Sequence, residues 1–180
     1  MRSTGAVVWS HTLTIVRRLD PVSSLFHIQA RSVIYRDVVY LISHGGQMRA
    51  LRLQTGEKLW EKQIAGIRTP AVSGDFLFML SAQEELICMN RLTGAVIWVE
   101  KLQQFKDMEK REEKIMWAGP VLAGHHLALV SSHGQLILCD PKSGKTVQTL
   151  SVDGSALLSP IVVDQTLLVL TDRADLAAYR

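Results

Sequence analysis

The segment that decides the fold is Thr55-Gly-Glu-Lys-Leu-Trp60, because close copies of it recur along the chain. The other copies are Thr4-Gly-Ala-Val-Val-Trp9, Thr93-Gly-Ala-Val-Ile-Trp98 and Ser143-Gly-Lys-Thr-Val-Gln148. Their glycines, from Gly5 through Gly56 and Gly94 to Gly144, are 51, 38 and 50 residues apart. Such spacing indicates a repeat unit of about 40 residues, interrupted by two insertions.

Each unit predicts four short strands. An alternating strand leads into the turn, as in Glu85-Leu-Ile-Cys-Met-Asn90, and a β-rich run such as Phe76-Leu-Phe-Met-Leu-Ser81 precedes that strand. A proline-containing segment, for example Thr69-Pro-Ala-Val-Ser-Gly-Asp75, suits the first strand. We therefore expect an all-β fold, a β-propeller of about four blades with four antiparallel strands each. The predicted blades are residues 30–65, 67–102, 115–150 and 156–180, the last completed by a strand like 4–13.

The glycine and tryptophan of the repeat are predicted to have structural roles. Glycine gives the backbone freedom that a tight turn between the third and fourth strands requires. A tryptophan on the outermost strand can cover the gap between neighbouring blades while its N–H still finds an acceptor. The predicted structural positions are Gly5, Trp9, Gly56, Trp60, Gly94, Trp98 and Gly144. Trp117 lies outside the repeat and receives no role.

Composition excludes several classes of protein. The 180 residues carry a formal net charge of +3 and are 47% hydrophobic, so the chain can build a core and is not a disordered tail. The basic residues are interspersed, so nucleic acid is not an expected partner. The apolar runs are strand-sized, and no transmembrane segment is expected. The first residues show no apolar stretch with a small-residue cleavage site, so we expect no signal peptide in this sequence.

The strand-turn-strand unit with Thr-Gly and a later tryptophan resembles the PQQ-like, quinoprotein-type β-propeller repeat over nearly the whole chain. More narrowly, the stretches from Arg36 to Gly56, Gly66 to Asp75 and Trp117 to Gly124 are similar to the C-terminal half of the BamB family. That family is the propeller lipoprotein of the machine that inserts β-barrels into the outer membrane of Gram-negative bacteria. The resemblance implies a non-catalytic scaffold on the periplasmic side that binds proteins of this machinery. Its members carry a lipobox cysteine, which this sequence lacks.

The resembled family has eight blades, so about four blades predict half of a ring. An open half-ring would expose the apolar faces of its two end blades, and such faces drive association. We therefore expect the isolated chain to form a homodimer or to need a separately encoded N-terminal half. The alternative is a four-bladed ring, in which the strand after Gly5 pairs with the blade that ends at Arg180.

The alternative functions are a fragment of a PQQ-dependent quinoprotein dehydrogenase and a generic PQQ-like interaction module. The dehydrogenase family implies a quinone cofactor over calcium, a vicinal disulfide and a catalytic Asp, and none of these transfers. Cys88 and Cys139 lie in different repeats at positions one step out of register, which predicts two core residues on opposite faces of their sheets. Gly144-Lys-Thr146 lacks the upstream glycine of a phosphate-binding loop, and the histidines lack metal-ligand spacing. We therefore predict no enzyme activity and no catalytic, cofactor-binding or metal site.

Two insertions interrupt the repeat. Lys106–Lys114 has eight charged residues in nine, which predicts a solvated loop or one short surface helix. The insertion Thr14–Gln29 combines exposed apolar and arginine residues, a typical partner surface, and its predicted partner-binding residues are Arg17, Arg18, Leu25, Phe26, His27 and Gln29. In the resembled family this loop gives acidic residues to the contact with the central barrel protein. His27 and Gln29 stand at about those positions, so a retained contact would be altered in charge.

Overall fold

A computed structural model describes residues 5–12, 30–43 and 46–180, and within them every regular element is a β-strand. The strands form four successive sheets, here called the first to fourth blades, and one separate hairpin. The first blade contains β1 (Val33–Tyr35), β2 (Val38–Ile42), β3 (Met48–Arg52) and β4 (Lys58–Lys62), and the second contains β5 (Ala71–Ser73), β6 (Phe76–Leu80), β7 (Glu85–Asn90) and β8 (Val96–Lys101). The hairpin β9 (Phe105–Asp107) and β10 (Glu112–Lys114) precedes the third blade, which contains β11 (Trp117–Ala123), β12 (His126–Ser131), β13 (Gln135–Cys139) and β14 (Thr146–Ser151). The fourth blade contains β15 (Ile161–Val163), β16 (Thr166–Leu170) and β17 (Leu176–Tyr179).

Each blade is an antiparallel meander in which neighbouring strands follow the chain order. The turn between the third and fourth strands is built in the same way each time. In the second blade the N–H of Gly94 donates to the carbonyl of Asn90 at 2.8 Å, and the N–H of Asn90 donates to the carbonyl of Ala95 at 2.8 Å. Gly94 has φ +67°, a left-handed conformation that glycine adopts without steric cost. These antiparallel sheets confirm the prediction of an all-β propeller.

Apolar residues from adjacent blades pack face to face in three clusters, because successive residues of a strand point to opposite faces. The first cluster joins the first and second blades, and includes Tyr40, Met48, Leu77 and Met79. The second joins the second and third blades and contains both cysteines, Cys88 and Cys139, which are buried and unbonded. The third cluster joins the third and fourth blades around Val130 and Val169. The core thus lies between the blades, as in any propeller.

The structure of the charged insertion differs from the sequence prediction, which was a solvated loop or one short surface helix. Residues 105–114 form the hairpin β9–β10. The carboxylate of Asp107 accepts the backbone N–H groups of Glu109 and Lys110, both at 3.0 Å, which starts the turn. Lys106 and Glu113 then pair across the hairpin at 3.0 Å. A charge count cannot distinguish this arrangement from a helix, because both leave the same side chains in water.

Candidate interaction surface

Three tryptophan–glycine contacts join consecutive parts of the chain. A Cβ atom added to Gly56, Gly94 or Gly144 would lie within 2.5–2.8 Å of the ring of Trp9, Trp60 or Trp98, respectively. Each indole therefore lies flat on the glycine turn of the following blade. Each indole N–H also donates to a carbonyl three residues before that glycine: Leu53 at 2.8 Å, Arg91 at 2.8 Å and Pro141 at 3.2 Å.

The series of tryptophan–glycine contacts has two unmatched positions. Gly5 has the same left-handed conformation, with φ +70°, yet no described atom lies within 4 Å of the place where its Cβ would be. Gln148 stands four residues after Gly144, where the other repeats have tryptophan, and lies opposite Leu138 as Trp98 lies opposite Cys88. Among the described residues, no ring covers the turn of Gly5, and the outermost strand of the third blade has Gln148 in place of a tryptophan.

A groove of about 790 Å³ runs between the third and fourth blades at their outer side. Gln148, which stands where the other repeats have tryptophan, is one of its lining residues. Its walls are mainly apolar, and the groove is lined on one side by Leu136, Leu138 and Leu150 and on the other by Val162, Leu167, Ala178 and Tyr179. The repeat gave no sequence signal for this groove except the replacement of tryptophan by Gln148.

A second cavity, of about 600 Å³, lies where the first strands of the second, third and fourth blades begin. Arg68 is its central basic residue. Its guanidinium donates to the carbonyl of Trp117 at 3.2 Å and to the carbonyl of Leu157 at 3.1 Å, which are equivalent positions three residues before a proline in their blades. Arg68 thus ties three blades together near the axis, and sequence reasoning missed it because no repeat position shares its charge.

Trp117, which received no role from the sequence, is a core residue of the interface between the second and third blades. Its indole N–H donates to the carbonyl of Gln103 at 2.8 Å, and its backbone N–H donates to the carboxylate of Glu84 at 3.2 Å. Burial raises the pKa of Glu84, and this outweighs the opposite effect of the Trp117 N–H and of the nearby Lys114 and Arg68. The equivalent residues Ile67 and Leu157 share only hydrophobic character with Trp117, so the repeat gave no signal for it.

The other titratable groups have local structural explanations. The hydrogen bond from Lys58 lowers the pKa of Glu61, together with the charge of Arg49. Burial raises the pKa of the Cys88 thiol to about 11 and also raises that of Cys139. Among residues 5–12, 30–43 and 46–180, no three His, Cys, Asp or Glu side chains are grouped to hold a metal ion.

The predicted partner-binding residues lie outside the described residues. They are Arg17, Arg18, Leu25, Phe26, His27 and Gln29, all within residues 13–29, which the structure does not describe. The described part of this region is residues 5–12, which carries Gly5 and Trp9. Across the described ranges, no helix has the length and apolar character needed to cross a bilayer.

Meandering four-stranded sheets joined by tryptophan–glycine contacts define a repeat-built β-propeller. The chain belongs to the family of the outer membrane protein assembly factor BamB, whose sequence profile matches residues 1–100. It is 23% identical to that factor from Yersinia pestis over 94% of this chain and 41% of the relative, and 25% identical to that of Alkalilimnicola ehrlichii over 98% and 44%. The chain therefore spans about two fifths of the length of these relatives.

Solved structures show the same fold. The crystal structure of BamB from Moraxella catarrhalis matches with a TM-score of 0.77 at 15% identity, over 89% of this chain and 45% of that one. The computationally designed Ika4 protein matches with a TM-score of 0.65 at 9% identity, over 86% of this chain and 91% of that one. The chain therefore has the fold of part of a BamB propeller.

Proposed function

We propose that this chain is a non-catalytic interaction scaffold that takes part in outer-membrane β-barrel protein assembly, on the periplasmic side of that membrane. The observation that carries the proposal is the family match over residues 1–100, combined with the propeller that contains them. The family is that of an outer membrane protein assembly factor. The chain spans about two fifths of the length of its relatives, so the activity of a whole relative is a proposal for this chain.

The described chemistry supports binding as the mechanism. The two thiols are buried in the core with raised pKa values, so neither is an available nucleophile or redox partner at neutral pH. Glu84, the carboxyl group whose pKa burial raises, is engaged by the backbone of Trp117 between two blades. Its role is therefore local and structural. A scaffold needs only shape, edges and exposed side chains, and sheet edges can recruit β-rich partners by strand addition.

The partner is proposed to dock on the insertion Thr14–Gln29, which contains Arg17 and Arg18. Exposed arginines with neighbouring apolar residues, here Leu25 and Phe26, are frequent anchors of protein interfaces. In the resembled family the same insertion contacts the central barrel protein of the assembly machine. His27 and Gln29 replace acidic residues there, so the arginines are expected to contribute more of the contact's charge.

Binding of the purified chain to the purified central barrel protein tests this function, for example by biolayer interferometry. We expect concentration-dependent binding that the double charge reversal Arg17→Glu/Arg18→Glu weakens by tenfold or more, about 1.4 kcal/mol. The matched control is Lys142→Glu/Lys145→Glu, which makes the same charge change at two exposed turn residues of the third blade and leaves binding unchanged. Absence of binding by the natural chain, or equal binding by the Arg17/Arg18 variant, would rule the proposal out.

A further inference from the structure

The cavity of about 600 Å³ near the axis has a lining that is both basic and apolar. Two arginines, Arg31 and Arg68, line it together with aliphatic and proline side chains at the starts of the second and third blades, which are Ile67, Pro70, Pro120 and Leu122. No Asp or Glu is among the described residues that line it. Its volume is within the range of roughly 300–1,000 Å³ that is typical of ligand sites.

Arg68 holds one positive charge of this cavity in a fixed place. Its Nε–H donates to the carbonyl of Trp117 at 3.2 Å, and its Nη1 group donates to the carbonyl of Leu157 at 3.1 Å. Both acceptors are neutral, so the charge of the guanidinium is not cancelled by them. A guanidinium carries five N–H donors in a rigid fork, and the bonds to two carbonyls leave donors that can bind an anion.

The one carboxyl group that is coupled electrostatically to Arg68 is engaged elsewhere. The charge of Arg68 lowers the pKa of Glu84 against the larger, opposite effect of burial. The Glu84 carboxylate accepts the backbone N–H of Trp117 at 3.2 Å, and Glu84 is not a lining residue of the cavity. It therefore does not occupy the place of an anionic ligand.

Arg31 supplies the second positive charge. Its backbone N–H donates to the hydroxyl of Thr69 at 3.2 Å, which joins the start of the first blade to the segment that carries Arg68. The Arg31 side chain is exposed, and it makes no hydrogen bond or ion pair with the described residues. Two guanidinium groups on one cavity repel each other unless an anion lies near both, so this lining favours an anionic occupant.

We propose that this cavity, here called the axial site, binds an acidic segment of a protein partner in an extended conformation. A carboxylate of the segment binds between Arg31 and Arg68, and its apolar neighbours pack on Ile67, Pro70 and Leu122. Carboxylates match the guanidinium fork, whereas the aliphatic part of the lining gives a free inorganic anion nothing to contact. The requirement for negative charge follows from the lining, and the choice of a peptide as ligand rests on the proposed scaffold function.

Fluorescence anisotropy with synthetic peptides tests the axial site. The probe is a fluorescein-labelled heptapeptide of alternating leucine and glutamate, and the control probe has glutamine in place of each glutamate, which keeps the shape and removes the charge. We expect saturable binding of the glutamate probe by the natural chain, and a Kd about tenfold higher for the glutamine probe. The affinity for the glutamate probe should also fall as the salt concentration rises.

Arg31→Gln is the decisive variant, because the Arg31 side chain has no described hydrogen bond or ion pair to lose. It should raise the Kd of the glutamate probe by about fivefold to tenfold and leave the Kd of the glutamine probe unchanged. The matched control is Arg36→Gln, at an exposed arginine in the turn that follows β1, and it should bind both probes as the natural chain does. Circular dichroism establishes that each variant is folded.

Arg68→Lys keeps the positive charge and removes the fork, so it should also raise the Kd of the glutamate probe. Because Arg68 ties three blades together, this variant is interpreted only if it is folded, and Arg31→Gln decides the outcome if it is not.

Three results would overturn the proposal. Equal Kd values of the two probes, or equal Kd values of the natural chain and folded Arg31→Gln for the glutamate probe, would mean that the arginines do not select a carboxylate. Complete displacement of the glutamate probe by an equal concentration of succinate would mean that the site takes a small dicarboxylate and not a peptide. If peptide binding fails while the natural chain still binds the central barrel protein, only the axial site is refuted and the proposed function stands.

Discussion

The indole ring of Trp60 lies on Gly94 of the next blade, and a Cβ atom at Gly94 would come within 2.8 Å of the Trp60 Cδ2 atom. The ring also donates its N–H to the Arg91 carbonyl in the same turn. A large residue of one blade and a glycine of the next therefore form one unit. Because the arrangement recurs for Trp9 and Trp98, it joins the blades through the outer strands as the apolar clusters join them through the sheet faces.

Removal of the Trp60 ring should destabilise the whole blade series. Trp60 is buried, and its ring stacks near Tyr40 with ring centroids 6.1 Å apart. Trp60→Ala is expected to lower the free energy of unfolding by about 3–5 kcal/mol, measured by urea denaturation. The control is Leu59→Ala at the exposed neighbouring position, where the change should stay within about 0.5–1 kcal/mol. Equal effects of the two substitutions would contradict a role for the ring.

Gly94→Ala should be destabilising for two separable reasons. The left-handed backbone costs any L-residue about 1–2 kcal/mol, and Gly74→Ala, at φ +55° with no atom within 4 Å, measures that cost alone. The remaining cost at Gly94 comes from the collision with the Trp60 ring, expected at about 1–3 kcal/mol. A double-mutant cycle separates it, because Gly94→Ala should be less costly in a Trp60→Ala background. An additive cycle would mean that the ring and the glycine do not interact.

The stability of the interface between the second and third blades should depend on the ionisation of Glu84. Burial raises the pKa of Glu84 above its ordinary value of 4.5, so the folded chain holds this proton more tightly than the unfolded chain. The stability that Glu84 contributes is therefore fully present below pH 4.5 and is lost as the pH rises through the folded-state pKa. Glu84→Gln keeps an acceptor for the Trp117 N–H and removes the titration.

Urea denaturation of the natural chain and Glu84→Gln over a pH series measures this effect. The free energy of unfolding of Glu84→Gln minus that of the natural chain should be smallest below pH 4.5. This difference should increase as the pH rises and then level off. A difference for Glu84→Gln that stays constant or falls with pH would contradict the assigned direction of the shift.

Much of the fold could be predicted from the sequence because the pattern of each turn and strand recurs in several repeats. The spacing between Gly94 and Trp98 fixes a turn and a side-chain direction, and three copies make chance coincidence implausible. Cys88 and Cys139 were recognised as core residues from the alternation of their strands. Positions that occur once were missed. Arg68 acts through backbone carbonyls of two other blades, and no pattern in its own segment reveals that contact.

The interaction surface was harder to predict for a related reason. The groove between the third and fourth blades is a property of the assembled blades, whereas the repeat alone gives only the existence of the strands. The charged stretch 106–114 forms a hairpin whose turn begins at Asp107, which accepts the backbone N–H groups of Glu109 and Lys110. Charge patterning describes exposure to water and leaves backbone conformation undetermined.

Binding of the purified natural chain to the purified central barrel protein, measured by biolayer interferometry, tests most directly the central claim that this chain is an interaction scaffold. We predict saturable, concentration-dependent binding that Arg17→Glu/Arg18→Glu weakens by tenfold or more, about 1.4 kcal/mol. No binding by the natural chain, or equal binding by the two chains, would contradict it.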